Sequence, residues 1–129
     1  MQIQKLSWAG VSVQQDDTVL LIDPLGGTSP ALIQTMGTPR EPLIPLTGIS
    51  ASAILVTHIH PDHFDPSSIR MSYGDEIPIY VPLESAPYVG KSGLKNVHGM
   101  SVGDTIVQGT VTITATFSVD GFGFPQVAW

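Results

Sequence analysis

Short β-prone runs separated by turn formers set the pattern from the start of the chain. Residues 3–6, 11–14 and 18–23 are three such runs, and Gln15, Asp16 and Asp17 between the last two predict an antiparallel beginning. Ser29 can cap a short helix with Pro30 at its first position and Gly37 beyond its end, whereas Pro39, Pro42 and Pro45 make residues 37–48 a loop. An uninterrupted apolar run over 53–57, with β-branched Ile54 and Val56, reads as a strand buried on both faces. Asp65 followed by Pro66 marks a helix start that runs to Tyr73 and Gly74, because an acceptor at the cap and a residue lacking N–H at the first position suit the unpaired amides there. Further on, the pattern predicts a strand over 77–81, a weak helix over 83–91 interrupted by Pro87, and a hairpin of 105–107 with 110–117. A last apolar run begins another strand at Val127. No repeat or low-complexity linker divides the chain, so one domain over residues 1–129 is expected.

Composition narrows the class. Hydrophobic residues make up 42% of the 129 and charged ones 12%, half the usual share of ~25%. Such a chain builds a core and needs neither a disulfide nor a metal to fold. Net charge is −6, and Lys5, Arg40, Arg70, Lys91 and Lys95 are scattered, which removes the basic footprint that nucleic-acid binding requires. There is no cysteine, so any metal must be held by histidine and carboxylate. Nothing resembles a signal peptide or the ~18 apolar residues of a membrane span, and a cytoplasmic protein without a membrane partner is expected.

The chemistry is concentrated between Thr57 and Asp65, where three of the four histidines fall within six residues. Imidazoles suit zinc, copper or iron, and carboxylates add a harder oxygen ligand together with negative charge. In an extended segment His58 and His60 project on one side, while Asp62 and His63, on the turn towards the helix, can face a neighbouring point. Two adjacent metal positions are therefore plausible. Idle, exposed histidines are the competing reading, but imidazoles packed together repel when protonated unless a cation replaces the protons. Gly26-Gly27 lacks the further glycines and lysine of a phosphate loop and reads as a plain turn. His98 reads as a surface or strand-end residue, and Trp8, Phe117, Phe122, Phe124 and Trp129 as core or interface aromatics.

The run His58, His60, Asp62, His63 resembles the His-x-His-x-Asp-His signature of the metallo-β-lactamase superfamily. Leu21 to Pro24, Trp8 to Gly10, and the segment from Gly103-Asp104 through Thr116 are similar to the branch of metal-dependent hydrolases around L-ascorbate 6-phosphate lactonase. The resemblance implies an α+β fold, the αββα sandwich, of which this chain looks like one β-rich half. It also implies a metal centre in which Asp23 supports a ligand histidine, although Asp before Pro is equally a common turn former. In the family a third histidine follows the strand similar to 111–116; here Asp120 stands in the corresponding place, either as a replacement ligand or as a residue that shapes the loop with Gly121 and Gly123. The family's bridging aspartate and last histidine lie in a second half beyond the region similar to 127–129.

These readings together imply a metal-dependent hydrolase using metal-activated water on a lactone, ester, amide or phosphodiester. Zinc, as one or two ions, would be the cofactor, with manganese or iron as substitutes, and Asp62 would be both ligand and catalytic carboxylate. The expected partners are a small-molecule substrate and either a second copy of the chain or a missing C-terminal half. The alternative is a non-catalytic module of the same fold that serves in assembly or binding.

Overall fold

A computed structural model of the chain describes residues 1–129. Its centre is a six-stranded sheet in the order β1 (Gln2–Lys5), β2 (Val11–Gln15), β3 (Thr18–Ile22), β4 (Ala53–Leu55), β5 (Ile79–Pro82) and β6 (Val97–Met100). The first three strands pair antiparallel, and β3 through β6 pair parallel. Connection length dictates the change. Asp16-Asp17 joins β2 to β3 as a tight turn with Asp16 at φ +52, whereas the parallel strands are bridged by segments containing α1 (Pro30–Met36), α2 (Pro66–Tyr73), and a 3-10 turn (Leu83–Ser85) leading into α3 (Ala86–Gly90).

Both expected helix starts are present: Ser29 accepts the Leu32 N–H and Asp65 accepts the Ser67 N–H, each at 3.1 Å, with proline at the first helical position. Alternation along the strands sends Val19, Leu21, Ile54, Val56, Ile79 and Val81 to one face, where they pack with Phe64, Ile69 and Val89 of the helical layer. Leu20, Ala53 and Leu55 point the other way and meet Ile113 from the hairpin of β7 (Thr105–Gln108) and β8 (Val111–Thr114). Beside this hairpin β9 (Thr116–Phe117) pairs with β10 (Val127–Ala128), so the apolar run at Val127 is a paired strand.

Three differences from the sequence expectation have identifiable physical causes. The pattern predicts no strand at β6, because Gly99 interrupts its alternation, and the strand is held by parallel pairing with β5. His98 lies within it, exposed, with its ring stacked on Tyr80 at 4.9 Å. The run over 110–117 is broken at Ala115, which leaves the hairpin to exchange hydrogen bonds with Asp104 and Gly103 at 2.9 and 2.8 Å. Gly26 does more than turn the chain, since a Cβ there would meet Leu46 Cγ at 2.5 Å. No helix is long and apolar enough to cross a membrane.

Candidate metal centre

The parallel strands β3 and β4 end at the same edge of the sheet, the usual place for a ligand site in such sheets. Asp23 follows β3 and Thr57 follows β4. A turn in which the His60 carbonyl accepts the N–H groups of His63 and Phe64, both at 2.9 Å, folds the chain back. The rings of His60 and His63 are thereby brought to 4.6 and 4.0 Å from that of His58, centre to centre. On the far side β10 is tied in by the Val127 N–H, which donates to the Thr57 carbonyl at 3.1 Å.

One buried carboxylate organises this cluster. Asp23, 3% exposed and at φ +45, accepts the Thr57 N–H at 2.7 Å, the Thr57 hydroxyl at 2.6 Å and His63 Nδ1 at 2.8 Å. Since the Thr57 hydroxyl gives its single proton to Asp23, it accepts from His58 Nδ1, 3.0 Å away. His58 and His63 therefore both carry a proton on Nδ1, which leaves Nε2 to point at a ligand. Burial, followed by the His63 and His60 imidazoles, holds His58 below its ordinary value of 6.5 against the opposing charges of Asp23 and Asp120. Burial also acts to lower His63, but the hydrogen bond and charge of Asp23, with Asp62 and Asp120 beyond, outweigh it and raise the group.

Asp120 enters from the loop after β9. Its Oδ2 accepts the Phe124 N–H at 3.2 Å and its carbonyl accepts the Gly123 N–H at 3.1 Å, so it shapes the loop. The same oxygen lies 3.7 Å from His60 Nε2. Desolvation acts to raise its pKa, but the backbone N–H groups of Phe124 and Phe122, then the His60 and His58 imidazoles, bring it below the ordinary carboxyl value. His58, His60 and Asp120 each offer one ligand atom, and these atoms lie within 4.8 Å of one another. Asp62 Oδ2 faces His63 Nε2 at 3.6 Å and also accepts the indole N–H of Trp8 at 3.1 Å.

The two gaps of 3.7 and 3.6 Å are too long for hydrogen bonds. Ligand atoms of a tetrahedral ion with bonds of ~2.0–2.1 Å sit roughly 3.4 Å apart, so the donor set fits a divalent cation after small side-chain movements. The His58, His60, Asp120 group has three donors, whereas Asp62 and His63 face each other as a pair. All five candidate ligands are thus at one edge of the sheet.

Beside them lies a cleft of about 580 Å³ lined by Thr35, Met36, His60, Pro61, Asp62, Phe122 and Phe124. A cavity of about 370 Å³ behind the turn, against α3, contains none of the candidate ligands. Most of the aromatic residues read as core or interface lie outside the core. Only Trp129 packs with the buried clusters; Phe122 is 85% exposed, and Phe124 presents its ring edge-on to His60 at 4.4 Å. Phe117 is likewise exposed, and Trp8 reaches Asp62 instead of the core. These residues sit in loops or on the short β9, at the open end of the sheet, where no layer covers them. Thr57 as the link between Asp23 and His58 carried no sequence signal of its own, and Trp8 as a partner of Asp62 is signalled only indirectly, through the antiparallel pairing of the strands that follow it.

Residues 10–64 match the model of the metallo-beta-lactamase superfamily, and the mixed sheet with few helices gives an α+β fold like that of about half of each metallo-hydrolase structure it superposes on. A UPF0173 metal-dependent hydrolase from Methanosphaera stadtmanae is 30% identical over 105 residues, which are 81% of this chain and 40% of that protein. Isothiocyanate hydrolase from Delia radicum gut bacteria superposes with a TM-score of 0.67 at 22% identity, over 89% of this chain and 47% of its own. CmlA, a diiron β-hydroxylase from Streptomyces venezuelae, superposes with a TM-score of 0.68 at 16% identity, over 97% of this chain and 26% of its own. The chain spans less than half the length of each of these relatives. A hydrolase and a hydroxylase share the fold, so the fold alone does not choose the metal or the reaction.

Proposed function

We propose that this chain provides the metal centre of a metal-dependent hydrolase, in which His58, His60 and Asp120 hold one divalent ion and Asp62 with His63 contributes to a second position. The observation that carries this reading is the convergence of three ligand atoms within 4.8 Å, with no hydrogen bond made across the 3.7 Å between His60 and Asp120. Zinc is the ion favoured by two imidazoles and a carboxylate, and manganese or iron accept the same donors. Bound there, a divalent ion supplies Lewis acidity towards a carbonyl or phosphoryl oxygen and lowers the pKa of water. The chain's own groups do the rest. Asp62, with Oδ2 engaged by Trp8, turns Oδ1 to orient the attacking water and take its proton. Met36, Phe122 and Phe124 line the cleft with apolar surface, and neither lysine nor arginine lines it. An uncharged lactone, ester or amide therefore suits it better than a phosphodiester.

Zinc titration of the full chain, read by elemental analysis, tests the assignment. His58→Ala with His60→Ala should abolish uptake at the three-donor position, and unchanged stoichiometry in that variant defeats the proposal. Neutral ester and phosphodiester probes then test turnover. Metal bound tightly without hydrolysis of either probe favours the non-catalytic reading, which is motivated by Asp62 and His63 having no third protein ligand. A second copy of the chain, or further protein outside it, would supply that ligand, and light scattering with and without zinc detects the former.

A further inference from the structure

We propose that Trp8 is a positioning residue for Asp62, its indole N–H presented by a loop that the Lys5 ammonium ties together. The inference rests on the reading of Asp62 as a working carboxylate of the metal centre.

The loop of residues 6–10 joins β1 to β2. Its ends are closed by the Leu6 N–H donating to the Gly10 carbonyl and the Gly10 N–H donating to the Ser7 carbonyl, both at 2.8 Å. Into this ring of carbonyls Lys5 Nζ donates to Leu6 at 2.7 Å, to Gly10 at 3.3 Å and to Trp8. Three partners match the three protons of an ammonium group. Gly10 is needed for the closure, since a Cβ there would stand 2.9 Å from the Ser7 carbonyl and 3.2 Å from that of Asp23. From outside, the Ser7 hydroxyl accepts the Ile44 N–H at 2.6 Å.

So constrained, Trp8 adopts φ +55, the left-handed region that a bulky side chain enters only where its surroundings dictate it. This strain does not serve packing, because Trp8 remains 36% exposed. It aims the indole N–H at Asp62 Oδ2, 54 residues further along the chain. An indole nitrogen can only donate, so Asp62 is the acceptor and the plane of its carboxylate is fixed beside His63 Nε2. The chain's other tryptophan provides the contrast: Trp129 Nε1 is buried without a partner. Losing the Trp8 hydrogen bond frees Asp62 to rotate away from His63 and should weaken the position they share. The group made by His58, His60 and Asp120, which Trp8 does not touch, should be spared.

The proton–nitrogen spectrum of the full chain contains two indole signals, and Trp8→Phe assigns them by removing one. In metal-free protein Asp62→Ala should move the Trp8 signal and leave that of Trp129 in place. In zinc competition against a chelator, Trp8→Phe and Lys5→Met should each weaken the second equivalent by about tenfold, the lower end of what an outer partner of a ligand is worth, with the first equivalent unchanged. A Trp8 signal indifferent to Asp62→Ala, or a wild-type second equivalent in Trp8→Phe, overturns the proposal. If Trp8→Phe fails to fold, Asp62→Ala still decides the matter with Trp8 in place. If the wild type binds no zinc, the proposed function fails, whereas the metal-free spectrum still decides whether Trp8 holds Asp62.

Discussion

Asp23→Asn replaces a carboxylate oxygen with an amide group at nearly constant volume, and its effect on metal affinity should exceed its effect on stability. The new carbonyl can keep the Thr57 N–H, now held at 2.7 Å, but the new NH₂ faces the Thr57 hydroxyl and His63 Nδ1, both of which donate to Asp23 in the native chain. To avoid opposed donors, the hydroxyl must turn its proton to His58 Nδ1 and His63 Nδ1 must become an acceptor. Both rings then carry their proton on Nε2 and lose the lone pair that would meet a metal. An outer partner of one metal-binding histidine is worth about 10–100-fold in affinity. With two rings governed by one carboxylate we expect about 100-fold, or roughly 2.7 kcal/mol at 1.36 kcal/mol per decade. Stability should fall less, by about 1–2 kcal/mol, because charge-assisted bonds are exchanged for neutral ones. At an unfolding entropy of about 2.1 cal/mol/K per residue over 129 residues, this lowers Tm by roughly 4–7 °C. Asp23→Ala provides the control. It strands three donors around a site where Asp23 is 3% exposed, and should cost about 3–5 kcal/mol in metal-free protein. Chelator competition reads the affinity, thermal unfolding the stability, and long-range proton–nitrogen spectra the tautomers. Wild-type zinc affinity in the asparagine variant, or Nδ1 protons still present on both rings, would refute the argument.

Asp120→Ala should weaken zinc at the His58–His60 position by more than the about 10–100-fold that an outer partner is worth, while Tm changes little; Asp120→His should restore binding, and equal affinities in wild type and the alanine variant would reduce Asp120 to a loop former. Imidazoles bind metal only when unprotonated, so acid should release zinc. Because His63 is raised above 6.5 and His58 lowered, proton competition begins at higher pH for the position shared with Asp62. Zinc titrations repeated from about pH 8 to about pH 5.5 should show the second equivalent lost before the first, and the reverse order contradicts the assigned hydrogen bonds.

Much of the fold was legible because its signals are local. Ser29-Pro30 and Asp65-Pro66 cap helices through contacts within three residues, and the apolar run of β4 is short enough for a strand buried on both faces. The parts that were not legible depend on partners distant in sequence. Val97 to Met100 is a strand because β5 lies beside it, and Ala115 leaves its hairpin because Asp104 and Gly103 offer alternative hydrogen bonds. Neither cause has a periodicity to read.

The same division runs through the candidate site. His58, His60, Asp62 and His63 lie within one turn and announce themselves, whereas Asp23, Asp120 and Trp8 reach the cluster only through the order and direction of strands. Asp23 is placed by parallel pairing, since the register Ile22 to Leu55 sets the residues after β3 and β4 side by side. Asp120 is placed through β9 and β10, the latter hydrogen-bonded to Thr57. Trp8 follows from a rule already present in the sequence reading: if 11–14 and 18–23 pair antiparallel, the residues before the first run must lie beside those after the second. The register Val11 to Ile22 realises this and puts the loop of Trp8 against Asp23. An antiparallel hairpin thus delivers its preceding loop to the edge where the neighbouring parallel strands open, which gives an indole at the beginning of the chain access to a carboxylate in its middle.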